Sequence, residues 1–576
     1  MISRAEFERA LALVRRSGAQ DTLDERLRPQ GQGGRPRALD LDVLLAAMVL
    51  THTHHQRLTL TRVHKLLTND LAHSYQRQLG IIRADGRKLT IRQVRYVLDA
   101  IESKYEYTAK SRPDLDEPAR TERAESFQQV IDQLVDASIP AHLGRPGRYA
   151  VDASAIDSAA RGKKMPQGTK KARAARKAER AARTEAENDA YDTLAEQVNA
   201  DAEPGHSYDR DARWGFRTKT FDNKSNACFG YQLIAFTRVG AVGQASREPL
   251  LTDRIVVVPA NASMAAPTLG AMDRLAAQGH RVTEVIVDRG FSNLTPDNWA
   301  YPLRDRGIEQ VLDLTDKDYA ARDFNGVPMI AGWPHCPGMP AELEEIRRPV
   351  SLTAGTLKKC ATASDRLAHH RLLLEIAAFE KKIEAREQYA FKRTSLGQNR
   401  SKTGRAGKSA QRFACPAQAG KVRCPSCPLS MAGPADLTLV PNPPTGPGTP
   451  KACTQATISV PTTVSPKLRQ KERWGSPAWV ASFKRRTRVE GGFGLLKNSK
   501  SGNVKRGWTH QVGLIKTTLL LAVAVTASNL RQLLTWSRAT GDVTDPLTLM
   551  EAGPASFEEI DLAGGGVGAT SPPTAA

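Results

Sequence analysis

The run Val282-Thr-Glu-Val-Ile-Val-Asp288-Arg-Gly290-Phe constrains the fold more than any other stretch, because β-branched residues lead directly to one acid and a glycine. Such a run reads as a central strand that delivers a carboxylate to the carboxyl edge of a sheet. Upstream, Tyr149-Ala-Val-Asp152-Ala-Ser154-Ala-Ile follows a Gly/Pro/Arg turn at 144–147 and reads as a short apolar strand interrupted by one acid. Further strands are expected at 226–237, 251–259 and 308–314, with helices at 265–278 and 295–306 between them. That alternation predicts an α/β core.

A third acid lies in Phe483-Lys-Arg-Arg486-Thr-Arg-Val-Glu490-Gly-Gly-Phe-Gly-Leu-Leu-Lys497. At about 100° per residue, Phe483, Arg486, Glu490 and Lys497 fall within an arc of roughly 60° on one helix. The expected face carries a carboxylate, two phosphate-seeking charges and a ring, which suits a metal and DNA. Phosphodiester cleavage needs charge neutralised on both the attacking and the leaving oxygen, and two divalent ions about 3.5–4 Å apart do this. Carboxylate oxygens select hard ions such as Mg²⁺ or Mn²⁺.

The spacing of Phe483, Arg486, Glu490 and Lys497 resembles the Tyr-(2)-Arg-(3)-Glu-(6)-Lys signature of bacterial insertion-sequence transposases of the DDE type, with phenylalanine in place of tyrosine. Asp152-Ala-Ser154 and Asp288-Arg-Gly290-Phe are similar to the contexts of that family's first and second acids, and Asp209-Arg-Asp211-Ala-Arg-Trp214-Gly resembles the stretch before its second strand. The resemblance spans residues 145–535. It implies an α/β ribonuclease-H-like catalytic core, a mixed sheet with flanking helices, interrupted by an insertion domain. It further implies metal-dependent hydrolysis at element ends, then attack of the freed 3′-hydroxyl on target DNA. Asp152 would bridge two Mg²⁺ or Mn²⁺ ions, Asp288 and Glu490 would complete their shells, Arg486 and Lys497 would clamp end phosphates, and Phe483 would pack near the terminal nucleotide. The implied partners are double-stranded DNA, as terminal inverted repeats and target, and a second copy of the chain in a synaptic homodimer. Two other readings use the same residues: an idle DNA-binding repressor of its own element, and a ribonuclease-H-like structure-specific nuclease.

Bulk charge agrees. With 83 Lys and Arg against 61 Asp and Glu, a net charge of +22, the chain suits polyanions, and nucleic acid is the default partner. No membrane is expected: the first residues lack an apolar signal core, and the apolar run 517–530 is too short to span a bilayer and reads as a buried helix. The expected location is cytoplasmic, on the nucleoid. Seven cysteines, an odd number, agree with a reducing compartment.

Five regions follow. Residues 1–135 are expected to form an all-α DNA-binding domain, in which 58–67 and 89–98 each resemble the second helix of a helix-turn-helix. The later helix carries Arg92, Gln93, Arg95 and Tyr96, suited to bases and phosphates, although a plain helical bundle has the same pattern. His52, His54 and His55 read as a polar surface turn. The core begins over 145–314, with a basic insertion at 159–205 read as a solvated helix or phosphate-tracking arm. Residues 315–470 are an inserted domain with a charged helix at 363–389, a basic stretch at 392–412 and a Pro/Gly-rich run at 441–450. There Cys424-Pro-Ser-Cys427 has knuckle spacing for tetrahedral Zn²⁺, which Cys415 and Cys453 would complete; free buried thiols are the other reading. Gly407-Lys408-Ser409 fails as a phosphate loop because Lys402 stands where a glycine is required. The core closes over 471–536, and 537–576 read as a disordered tail.

Overall fold

A computed structural model describes residues 2–28, 37–162, 207–216, 227–244, 248–315, 320–346, 363–394 and 410–540, with a few positions between 178 and 187 and at 318 and 349. Helices α1 (Arg4–Ser17), α2 (Ala19–Leu27), α3 (Leu41–Thr53), α4 (Leu60–Lys65), α5 (His73–Gln78), α6 (Ile91–Tyr105) and α7 (Glu117–Asp136) open the chain. Their ends follow local chemistry. Ser3 accepts from the Glu6 N–H to start α1, Gly18 at φ 70° closes it, and Thr90 with Gln93 forms a reciprocal capping box on α6.

The histidine turn is corrected in one residue. α3 is apolar on all sides and carries His52 into the core at 1% exposure, where burial pushes its imidazole down to about 3; His54 and His55 are exposed.

Six strands form the main sheet: β1 (Arg148–Asp157), β2 (Arg213–Phe216), β3 (Ala227–Arg238), β4 (Thr252–Pro259), β5 (Glu284–Val287) and β6 (Glu309–Leu312). Along one edge β3 pairs with β2 and then β4, end to end; along the other it pairs with β1, and all these ladders are antiparallel. β1, β5 and β6 are parallel. β5 is buried at every position, as its β-branched sequence requires of an inner parallel strand. Gly230, at φ 158°, permits the tightest contact of β3 with β1, since a Cβ there would lie 2.1 Å from the Ile156 carbonyl oxygen.

α8 (Ala265–Ala277) and the single-turn α9 (Arg289–Ser292) pack on the sheet, and the insertion carries the long helix α10 (Ala363–Glu387). The insertion also holds two small antiparallel sheets: β7 (Arg322–Phe324), β8 (Val327–Ile330) and β9 (Trp333–Pro334); and β10 (Lys392–Arg393), β11 (Ala410–Ala414) and β12 (Thr457–Pro461). A core of its own joins them through Val327, Met329, Phe391, Phe413 and Val460. The chain then returns beside β6, where the Gln310 side-chain amide donates to the Lys467 and Arg469 carbonyls at 3.1 and 2.7 Å. Most of the basic insertion, and the Gly407–Ser409 triplet, lie outside the described residues.

After α11 (Pro477–Phe483) and α12 (Thr487–Lys497) comes α13 (Leu514–Thr540), which carries the fold beyond residue 536 and into the first residues of the expected tail. α13 is long and apolar enough to cross a membrane, yet it is mostly buried here, packed on α3, α6, α7 and β4. Its Lys516 pairs with Asp99 and Glu102 of α6, each at 2.6 Å. One hydrophobic core therefore runs from Phe7 through α13 to β1. The amino-terminal helices are all-α as expected, but they share this core with the sheet.

Candidate functional site

The register of β1 and β5 pairs Ala150 with Ile286. Two residues further along each parallel strand stand Asp152 and Asp288, so the two acids come level on neighbouring strands. β5 ends at Val287, and Asp288 caps α9 by accepting the Gly290 N–H at 2.8 Å. Glycine suits that position, because a Cβ on residue 290 would lie 2.9 Å from the same carboxylate oxygen.

Asp152 pairs across the sheet with Ala235, and Ser154 with Leu233, so both face the side on which α12 lies. From α12 and its approach come two cations. Arg486 donates to Asp152 Oδ2 at 2.9 Å and to Glu490 Oε1 at 2.6 Å. Lys497 donates to Ser154 Oγ and to the Ala155 carbonyl, both at 2.7 Å. The single helix expected from the spacing is broken: Phe483 ends the helix Pro477–Phe483, a 3₁₀ turn spans Lys484–Arg486, and Glu490 and Lys497 lie on the helix Thr487–Lys497. Burial, and next the nearby Asp288, push the Asp152 carboxyl up to about 6, against the opposing pull of Arg486.

Asp152, Asp288 and Lys497 line a groove of about 930 Å³, together with Gln232, Asp157, Phe216, Lys505, Arg506 and Trp508. Glu490 stands apart, its side chain 52% exposed and held by Arg486. Phe483 does not present a free ring: it stacks on Trp479 at 4.7 Å and 10°, and the Arg486 guanidinium lies 5.8 Å from its centre. In this arrangement Phe483 is a wall that positions Arg486.

Among the described residues, no three His, Cys, Asp or Glu side chains close round a single point as a formed metal shell does. The Asp152–Asp288 pair nonetheless fits a hard divalent cation, since its donors are oxygens and one carboxyl is pushed toward protonation by burial and its neighbour. Glu490 pairs with Arg486 and is not among the residues lining the groove.

Sequence reasoning did not find Arg485, whose buried guanidinium pairs with Glu284 at the start of β5 and donates to the Gly240 carbonyl at 3.0 Å. Lys471 also pairs with Glu284. The signal was Glu284 itself, an acid inside a β-branched run, which demands a cation when buried. Asp209 and Asp211 are structural. Asp209 accepts from Ser158 and Tyr231, each at 2.6 Å, and Asp211 ties Thr108 at 2.7 Å to the Leu514 N–H at 3.0 Å.

Arg92 and Arg95 lie exposed on α6 beside Tyr96, which is 67% exposed. In the insertion, Cys424 and Cys427 close a turn, with the Cys427 N–H donating to the Cys424 carbonyl at 2.8 Å, and the Gln418 amide donates to Cys427 Sγ at 3.1 Å. Cys336, which the sequence did not single out, is buried, Cys415 and Cys453 are half-buried, and none of these cysteines is in a disulfide. No protein-family model, no curated protein and no solved structure matches the chain.

Proposed function

We propose that this chain is a DNA transposase of the DDE type, cutting DNA at the ends of its element and joining them to target DNA. The observation that carries the reading is the level placement of Asp152 and Asp288 in one groove, with Arg486 linking Asp152 to Glu490 and Lys497 crossing to Ser154. The antiparallel run β4–β3–β1 continued by parallel β5 and β6, with Asp152 on β1 and Asp288 just past the end of β5, supports a ribonuclease-H-like core. A net charge of +22, and Lys505 and Arg506 on the groove, support double-stranded DNA as the partner.

Mg²⁺ or Mn²⁺, when bound, would neutralise charge on the attacking and leaving oxygens, and Asp152, Asp288 and Glu490 are the residues that would hold it. The chain's own groups do the rest. Lys497 holds a hydroxyl and a carbonyl that a phosphate oxygen replaces as its acceptor, which places a positive charge beside the scissile group. Arg486 keeps Asp152 and Glu490 in reach of one another and exchanges a carboxylate for a phosphate when DNA arrives.

The test is cleavage of a duplex carrying the sequences that flank the gene, with Mg²⁺ and with chelator, by the wild type and Asp288→Asn. Cation-dependent nicking by the wild type, and binding without nicking by the variant, are expected. Equal nicking by both proteins would remove Asp288 from the site.

A further inference from the structure

Helix α10 has two apolar sides and is seated on one of them. Toward its carboxyl end Ile383 is buried against Gly475, where a Cβ would lie 2.8 Å from the isoleucine Cγ2, and Phe379 meets the edge of Trp474 with ring centres 6.3 Å apart. Leu372 and Ile376 continue that side toward the amino end, half-buried. The other side faces outward: Leu367, Leu373 and Leu374 are 53%, 44% and 58% exposed, and Ala377 is exposed with them. At about 100° per residue, these four centre on a line roughly 150° round the helix from the seated side. A helix that is apolar on opposite sides calls for cover on both.

We infer that the outer side of α10 is the contact surface for a second copy of this chain, the two helices running antiparallel across a two-fold axis at Leu373. The charges select this occupant. Arg366, Leu373 and Glu380 recur at steps of seven and form one nearly straight row, in which the two charged residues are exposed. Rotation by half a turn about Leu373 sets Arg366 against the partner's Glu380 and Glu380 against the partner's Arg366, while Leu373 meets its own counterpart. A parallel pair would instead set like charge on like charge at both ends. Beside this row, Leu367, His370, Leu374 and Ala377 follow one another at steps of three and four, the spacing of a two-helix seam, and the row lies on the flank where charges decide orientation. A foreign partner would have to bring the complement of this pattern; the row is its own complement.

The pairing needs no DNA and does not rest on the proposed activity. Its consequence is that two carboxylate grooves belong to one particle before any duplex is bound. A single helix pair lies at the small end of protein interfaces, so a dissociation constant on the order of 1–10 µM is expected.

Sedimentation equilibrium of the full-length protein without DNA should show passage from monomer to dimer across that range. Arg366→Glu and Glu380→Arg each set like charges across the axis, and each should weaken self-association at least about 10-fold. Mixed in equal amounts, the two variants oppose unlike charges at both ends and should restore a dimer containing one copy of each. Leu373→Cys should be joined to its counterpart by a short thiol crosslinker above the wild-type background. Glu384→Cys, equally exposed, should not be joined, because in the antiparallel pair its two sulfurs stand about 33 Å apart at 1.5 Å of rise per residue. A wild type that stays monomeric at on the order of 100 µM, self-association untouched by either charge reversal, no recovery on mixing, or crosslinking of Glu384→Cys but not of Leu373→Cys overturns the assignment.

Discussion

Asp152 on β1 stands level with Asp288 just past the end of the parallel neighbour β5, and burial, with this proximity added, pushes the Asp152 carboxyl up to about 6. Its ordinary value is 3.8, so the folded chain holds a proton that the unfolded chain has released between those two values. The stability it contributes is fully present below the lower value and is lost as pH rises through the higher. Asp152→Asn should therefore gain relative to the wild type between pH 4 and 7, on the order of 1–3 kcal/mol at neutral pH. Thermal melts across that range check it, and parallel curves for the two proteins would refute the coupling. Mg²⁺ should raise the wild-type melting temperature at neutral pH and leave that of the variant unchanged.

Lys497 donates to a hydroxyl and a carbonyl, groups that need no charge to satisfy them. On the proposed reading, Lys497→Ala should lower cleavage by about 10²–10³-fold, the usual scale for one lost electrostatic donor, while DNA affinity changes little. Single-turnover cleavage beside a binding titration separates the two. A loss of affinity equal to the loss of rate would make Lys497 a general DNA contact.

Glu284 is 2% exposed and holds Arg485 and Lys471 together. Glu284→Gln keeps the shape and leaves the buried Arg485 without its counter-charge, so the folded state should lose about 3 kcal/mol. Urea unfolding measures this. A change below about 0.5 kcal/mol would mean that the pair is replaceable by neutral hydrogen bonds.

The exposed face of α6 supplies the last expectation. In the full-length protein, the double substitution of Arg92→Ala and Arg95→Ala should weaken binding to element-end DNA and reduce the slope of log affinity against log salt by about 2, one for each phosphate that the protein then leaves to its counterions. An unchanged slope would place recognition elsewhere on the chain. The intact chain is the material to use, because the amino-terminal helices bury their apolar faces against α13.

The legible parts of this sequence were those in which pattern and packing coincide. Val285, Ile286 and Val287 could only be an inner strand, and Asp288 followed from where that strand ends. The offsets from Arg486 to Lys497 define a helical face, and that face meets β1. What stayed hidden depended on distant partners. Nothing near Arg485 announces Glu284, some two hundred positions earlier in the chain, and nothing near His52 shows that α13 covers it. Phe483 misled because an aromatic beside a cation reads as a ligand contact, whereas Trp479, four residues before it, had already claimed its ring.

Asp211 binds the loop after α6 to the first turn of α13, and α13 then runs on against the sheet that carries Asp152. The outer surface of α6 and the acidic groove are thus joined along that route by buried contacts. On the proposed reading, a duplex gripped at both places would be cut at an offset that the protein measures, as a ruler does, and lengthening the DNA between its recognition sequence and its end by half a helical turn would turn the end away from the groove.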